Sequence, residues 1–175
     1  MSETEASKPP PFEAELSRVR QAAGEGLVSF RVCERTGDCW ITITRERLIA
    51  SARALRDDPR LKYGMLIDLF GVDRPEDKDR IHVYYQFLAI PSGRRVYLVV
   101  KTSEGQPIPT ISSEFASADW AEREVAEMFG IEFGGHPDPR PILLPDDWVG
   151  FPLRKDYPLV GRRPVILYNN VKDIL

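Results

Sequence analysis

Apolar residues recur along this chain with two different periods, which predict helices in some segments and strands in others. Two helical segments begin at a residue whose hydroxyl could cap them, Thr44 and Ser117, and Gly130 ends the last one. Glycine or proline likewise follows the other two helical segments and predicts where they end. The segments with helical spacing are residues 12–23, 44–57 and 118–129.

Alternating apolar and polar residues, rich in β-branched and aromatic side chains, predict about five strands. The first two flank residues 34–38 and predict a hairpin. In the fourth, Ile81, Val83 and Tyr85 alternate with more polar residues, so we expect helices to bury one face of the sheet. The pattern indicates an α+β fold with a mainly antiparallel sheet, whose strand order stays open. The expected strands are residues 27–33, 39–43, 65–71, 81–90 and 94–101.

A change in composition at residue 134 predicts a second kind of segment. Seven prolines lie between residues 134 and 164, and each of them removes a backbone donor and disfavours a preceding helix. The same segment carries large apolar side chains that a solvated linker would lack. We therefore predict an α+β domain over residues 12–133 and an extended, partner-binding tail over residues 134–175. The tail needs a surface, on its own domain or on a partner.

The charge balance excludes some partners. The chain has 24 Lys plus Arg against 27 Asp plus Glu, and its net charge of -3 gives no general attraction to nucleic acid or to anionic lipid. Its apolar runs are far shorter than the ~20 residues of a membrane-spanning helix. Residues 1–11 are polar and lack the apolar core of a secretory signal, so we interpret them as a disordered, cytoplasmic leader.

The sequence offers few residues for redox or metal chemistry. Two cysteines, Cys33 and Cys39, and two histidines, His82 and His136, are too few thiolates for an iron–sulfur cluster and lack the spacing of a structural zinc site. We interpret the cysteines as packing residues, with a cross-strand disulfide or a metal as the alternatives. No nucleotide-binding or hydrolase motif occurs. We therefore predict no catalytic, cofactor-binding or metal-binding residue in this chain.

The strongest signal is a nearly continuous run of motifs in the second half of the chain. The runs are SADWAEREVAEMFGIEF at residues 117–133, GHPDPRPILLPDDW at residues 135–148 and GFPLRKDYPL at residues 150–159. Together they resemble the signature of one subunit family of NADH:quinone oxidoreductase, or respiratory complex I, the family designated C. The chain departs from the family pattern at Ala126 and Glu127, around Arg140, and at Phe151, where the family often has His.

The resemblance implies a non-catalytic scaffold subunit in the peripheral arm, on the cytoplasmic face of the inner membrane. Its implied partners are the large quinone-site subunit and the small iron–sulfur subunit, with membrane contact only through the complex. FMN, iron–sulfur clusters and quinone would then reside in other subunits. The resemblance also fits the equivalent subunit of a membrane-bound hydrogenase or an F420H2 dehydrogenase. A free-standing enzyme and an assembly factor are rival interpretations.

Several residues of the motif run are candidates for partner docking. Glu122, Arg123 and Glu124 are consecutive on the predicted helix and point in different directions, and we expect Arg123 and Glu124 to fix the helix against the tail or a partner. Trp148 and Tyr157 are the expected anchors. The full set is Arg123, Glu124, His136, Asp138, Arg140, Asp147, Trp148, Arg154, Lys155, Asp156 and Tyr157.

Overall fold

The computed structural model describes residues 12–33 and 35–158. The predicted leader, residues 1–11, and residues 159–175 of the predicted tail lie outside the described residues. No described helix is long and apolar enough to cross a membrane.

The three expected helices are confirmed, with small changes at their first turns. They are α1 (Glu13–Ala23), α2 (Leu48–Asp57) and α3 (Ala118–Phe129), and short 3-10 turns span Gly24–Gly26 and Arg45–Arg47.

The capping roles expected of Thr44 and Ser117 are wrong. Thr44 precedes a 3-10 turn, and its side chain makes no capping hydrogen bond. The hydroxyl of Ser117 donates instead to the carbonyl of Leu66, so it joins α3 to the sheet. Gly130 does end α3, in the left-handed conformation, and its N–H bonds to the carbonyl of Ala126.

All five expected strands are present and form one mixed sheet. They are β1 (Leu27–Val32), β2 (Cys39–Ile43), β3 (Met65–Asp73), β4 (Ile81–Ala89) and β5 (Arg94–Thr102). The strand order in the sheet is β1-β2-β5-β4-β3, and neighbouring strands are antiparallel except β2 and β5, which are parallel. The parallel pair arises because the chain crosses from β2 through α2 to the far edge of the sheet, and then returns through two antiparallel steps.

The core lies between the helices and one face of the sheet. Ile41, Leu98 and Phe87 on the strands, and Leu55 on α2, are fully buried in one cluster with residues of α1 and α3. We expected β4 to be buried on one face only. Its other face, away from the helices, carries His82 and Tyr84, and these are buried as well. Neighbouring rings cover that face: Tyr84 stacks on Phe70 and meets the edge of Trp40.

A second, two-stranded parallel sheet was not predicted. It pairs β6 (Ile108–Pro109) with β7 (Phe133–Gly134), and its strands are too short for a period-2 pattern. Main-chain bonds run from Ile108 N–H to the Glu132 carbonyl and from Thr110 N–H to the Gly134 carbonyl. The predicted domain boundary at residue 134 therefore falls inside a paired strand, which joins the start of the tail to the domain.

Both cysteines are free thiols in the structure. Cys39 is fully buried in the core, and burial raises the pKa of its thiol to about 12. This placement fits the packing role expected for Cys39, while Cys33 lies half-buried at the end of the hairpin.

We predict that Gly71→Ala lowers the free energy of unfolding by about 1–3 kcal/mol, because a Cβ at this position would lie 2.6 Å from the Phe129 ring. Urea unfolding of the full chain measures the change. Gly64→Ala is the matched control, since nothing lies within 4 Å of the added Cβ. Equal losses in the two variants would show that close packing of α3 on β3 is not the cause.

Candidate partner-docking surface

Side chains of α3 reach three different targets. Glu122 points into the core, Arg123 reaches the loop at residues 138–140, and Glu127 reaches residues 142–144. Arg123 and Glu127 are four residues apart, so they lie on the same side of the helix. The helix therefore positions the whole segment that follows it.

Glu127 is the main attachment of the tail. Its buried carboxylate accepts backbone N–H groups of Ile142, Leu143 and Leu144, at 3.1, 2.9 and 3.2 Å. Hydrogen bonds to a charged acceptor are about twice as strong as neutral ones. One side chain thus satisfies three backbone donors in a segment where prolines at positions 139, 141 and 145 prevent regular pairing.

Arg123 holds the preceding loop. Its Nε donates to the carbonyl of Arg140 at 2.8 Å, and its guanidinium lies 3.5 Å from Asp138. Arg140 pairs with the same carboxylate at 2.7 Å, and this hydrogen bond holds the pKa of Asp138 well below its ordinary value. Glu124 is exposed and forms no hydrogen bond or ion pair with the described residues. Arg123 therefore contacts the tail, and the role expected of Glu124 toward a partner stays a prediction.

The side chain of His136 in the same loop is buried, and its two ring nitrogens bond to the loop and to α3. Its Nδ1 accepts the backbone N–H of Asp138 at 3.1 Å, and its Nε2 lies 3.1 Å from the Asp119 carbonyl, to which it donates. Both ring nitrogens are thereby occupied. No group of three His, Cys, Asp or Glu among the described residues is placed to hold a metal ion.

Glu122 is a fully buried carboxylate that was named with Arg123 and Glu124 but not included in the predicted docking set. It accepts bonds from the Thr110 hydroxyl and the Ile111 backbone N–H. Burial raises its pKa, and the bonds from Thr110 and Ile111 oppose that rise. Its role is to join α3 to the segment after β6, next to the loop that holds His136.

A second attachment holds the end of the described tail. Arg154 donates to the carbonyls of Phe129 and Gly130, at 2.6 and 3.4 Å, where α3 ends. Its guanidinium also lies over the ring of Phe151, 4.4 Å from the centroid. The backbone N–H of residue 153 adds a bond to the carbonyl of Met128. The carbonyls at the end of α3, which have no partner within the helix, thus receive donors from the tail.

A third attachment uses the hairpin between β3 and β4. The Asp73 side chain, fully buried, pairs with Arg80 and accepts the backbone N–H of Lys155 at 2.7 Å. Arg80 also bridges to Asp156 at 3.0 Å. The hydrogen bonds from Arg80 lower the pKa of Asp73. The side chain of Lys155 itself is exposed.

The expected aromatic anchors contact each other. Trp148 and Tyr157 stack with their ring centroids 6.2 Å apart, and the Tyr157 hydroxyl donates to the Val149 carbonyl. Both rings are half-buried, while Asp147 beside them is exposed. They close the turn between the first and the last attachments of the tail.

Four large apolar side chains remain on the outside of this arrangement. Trp120, Leu143, Val149 and Leu153 are between 52% and 64% exposed, and Arg123 lies over the Trp120 ring at 5.1 Å. A cleft of about 490 Å³ opens between α3 and the loop at residues 135–139. It is lined by Ala126, Ile131, Phe133 and Pro139, with Arg123, Glu132 and His136 among its polar residues.

The sequence thus predicted most of the tail residues that make contacts, but not the residues of the domain to which the tail is attached. The predicted set lies together along α3 and the tail, and Arg123, His136, Asp138, Arg154 and Asp156 make defined contacts within the chain. The missed residues are the carboxylates on the domain side, Glu122, Glu127 and Asp73, with Arg80. Glu127 gave a signal as a departure from the family pattern, whereas Asp73 and Arg80 lie far away in sequence and gave none. The docking role of the predicted set stays a prediction.

We predict that Glu127→Ala speeds hydrogen exchange of the amides of residues 142–144 by at least about tenfold, because each loses its charged acceptor. Exchange measured by NMR on the full chain gives the rates. Glu124→Ala, on the same helix but exposed, should leave them unchanged. Unchanged rates in Glu127→Ala would mean that the carboxylate does not hold the tail.

We predict that Asp73→Asn lowers the free energy of unfolding at neutral pH by about 1–3 kcal/mol, because Arg80 and the Lys155 amide lose a charged acceptor. The folded-state pKa of Asp73 is lowered, so its stabilisation is complete above the unfolded pKa of about 3.9 and is lost as pH falls through the folded value.

Urea unfolding of both proteins over this pH range tests the sign. The gap between them should close with falling pH. Asp146→Asn, at an exposed carboxylate, is the control and should show no gap at any pH. A gap that widened on acidification would contradict the assignment.

Comparison with known proteins identifies the family. Residues 41–163 match the family described as the respiratory-chain NADH dehydrogenase, 30 Kd subunit. A relative from Sinorhizobium medicae, the NADH-quinone oxidoreductase subunit designated C, is 40% identical over 159 residues, covering 91% of this chain and 78% of that protein. The protein of the same name from Mycolicibacterium gilvum is 38% identical over 155 residues, covering 86% and 69%.

The fold also matches a solved structure. A chain of the membrane-bound sulfane sulfur reductase, an archaeal respiratory membrane complex, superposes with a TM-score of 0.63 over 85% of this chain and 86% of that chain. At 17% identity this likeness supports the fold alone. The family match and the relatives confirm the resemblance found in the motifs, and the chain belongs to the family of the 30 kDa subunit of respiratory-chain NADH dehydrogenase.

Proposed function

We propose that this chain is a non-catalytic scaffold subunit in the peripheral arm of a proton-translocating NADH:quinone oxidoreductase. It docks the large quinone-site subunit beside the small subunit that carries the terminal iron–sulfur cluster. FMN, the clusters and quinone are held by those and other subunits, and this chain transfers no electron. It lies on the cytoplasmic face of the inner membrane and reaches the membrane only through the complex.

The observation that carries this proposal is the attachment of an irregular, proline-rich segment to its own domain. Glu127, Arg154 and Asp73 hold it at separate points, and its exposed apolar side chains face outward. A segment ordered before binding does not lose that conformational entropy on association. This arrangement suits a surface that fixes the position of a neighbour.

The polar groups near the cleft support a structural role. Glu122 and His136 are the buried titratable groups beside it, and both are bonded within the fold. A general acid or base needs a free position toward a substrate. In this proposal they shape the loop, and the cleft receives an apolar side chain of the partner.

The choice of parent complex in this proposal rests on the names of the relatives and not on the fold. The relatives from Sinorhizobium and Mycolicibacterium are named as subunits of NADH-quinone oxidoreductase, which favours that complex. The equivalent subunit of a membrane-bound hydrogenase or an F420H2 dehydrogenase is the alternative. The proteins that co-purify with the chain, together with NADH:quinone activity, distinguish these complexes.

We predict that Trp120→Ala reduces recovery of the quinone-site and iron–sulfur subunits by about tenfold, because an exposed aromatic anchor at an interface often contributes about 1.4 kcal/mol or more. The tagged full chain is purified from its own cell in mild detergent, and the partners are quantified by mass spectrometry. Val28→Ala is the control. Val28 is similarly exposed, but it lies on β1, at the opposite edge of the sheet from β3, where α3 packs.

The stability of the isolated variants separates docking from folding. Since the Trp120 side chain is exposed, its removal should change the free energy of unfolding by no more than about 0.5 kcal/mol. Recovery equal to that of the unchanged chain would contradict docking through this surface. Recovery of the chain without partners, before any substitution, would contradict the scaffold proposal as a whole.

A further inference from the structure

We infer that a polar pocket on the uncovered face of the sheet binds a carboxylate from an acidic segment of a neighbouring protein in the complex. This interface is separate from the surface made by α3 and the tail. It rests on the proposed function only in that the chain works inside a multi-subunit complex.

The pocket lies on the face opposite the helices. It has a volume of about 250 Å³ and is framed by β1, β2, β4, β5 and the loop between β3 and β4. Its charged and aromatic lining consists of Arg31, Trp40, Arg74, Tyr84, Lys101, and His82 with Asp77, whose side chains lie 2.8 Å apart.

Two cationic side chains of the pocket have no anionic partner among the described residues. Arg31 lies over the Trp40 ring at 4.8 Å, and neither Arg31 nor Arg74 forms an ion pair with any of the described residues. Lys101 is already paired with Asp77 at 3.1 Å, and this hydrogen bond lowers the pKa of Asp77. Burial lowers the pKa of the His82 imidazole, which is therefore neutral at physiological pH. The unneutralised charge of the pocket is therefore that of the two arginines.

Trp40 supports the Arg31 guanidinium at the pocket. Its ring is fixed, because it stacks on Tyr97 at 4.8 Å and meets the edge of Tyr84. The Arg31 guanidinium lies over this ring, 4.8 Å from its centroid. The planar array of N–H donors on a guanidinium matches the two oxygens of a carboxylate, so the two arginines of the pocket favour that group as the ligand.

The surroundings favour a protein segment over a free ion. Beside the pocket lies a row of contacting rings, Phe70, Tyr84, Trp40 and Tyr97, three of them half-buried, which offers a protein segment an apolar surface next to the charges. Arg95 lies farther along β5 on the same face, where Asp38 and Asp68 beside Tyr97 offset its charge. The chain as a whole carries a net charge of -3, so the positive charge is confined to the pocket, where Arg31 and Arg74 favour an acidic segment of a partner.

Zero-length cross-linking in the assembled complex tests the assignment. Arg31→Lys keeps the charge and supplies an amine, which a carbodiimide joins only to a carboxylate in direct contact. We expect a cross-link from position 31 to an Asp or Glu of a neighbouring chain, identified by mass spectrometry. Arg20→Lys, at an exposed position of α1 on the covered side of the sheet, is the control and should give no such cross-link.

Charge reversal gives a second readout. The double variant Arg31→Glu/Arg74→Glu should lower retention of the chain in the complex at raised ionic strength by about tenfold. Urea unfolding of the isolated variant checks that it still folds.

Co-purification without the cross-link, and with unchanged retention, would overturn the pocket assignment and leave the scaffold proposal intact. Binding of inorganic phosphate to the purified chain without the cross-link would identify a small-anion site and overturn it equally. Loss of co-purification in the unmodified chain would overturn both proposals.

Discussion

The carboxylate of Glu127 is the interaction on which the rest of the docking surface depends. It accepts three consecutive backbone N–H groups in a segment whose prolines prevent a helix or a regular strand. Without this acceptor the three donors would turn to water, and residues 142–144 would lose these hydrogen bonds to α3. One buried side chain thereby joins an irregular, proline-rich segment to the folded domain.

Two attachments farther along the tail also use side chains to satisfy backbone hydrogen-bonding groups. Arg154 supplies donors to the carbonyls that end α3, and Asp73 accepts the amide of Lys155, so backbone groups of helix and tail are satisfied through side chains. Because these contacts lie within the chain, the entropy of ordering the segment is lost during folding and not during assembly. The apolar side chains that face outward can then contribute to binding with little further ordering.

The sequence predicted the elements well, because periodicity is a local property. The spacing of apolar residues located all three helices and five strands, and the left-handed Gly130 marked the end of α3. It could not predict the parallel pairing of β2 with β5 or the two-residue strands β6 and β7, which depend on contacts between distant segments. For the same reason it identified Arg123 and Arg154 but not Asp73 and Arg80, whose role is visible only when β3 and β4 meet the tail. Ser117 is one example. Its sequence position predicted a helix cap, but its hydroxyl donates to a carbonyl of the sheet.

The most direct test is a cryo-electron microscopy structure of the complex purified from its own cell, at a resolution that shows side chains. We expect residues 138–158 to keep their contacts with Glu127, with the end of α3 and with Asp73, and Trp120 and Leu143 to lie under a neighbouring protein of the complex. If the tail had instead left its own domain to wrap around another chain, the attachment described for it would be contradicted. Trp120 and Leu143 facing solvent in the assembled complex would contradict the docking surface as well.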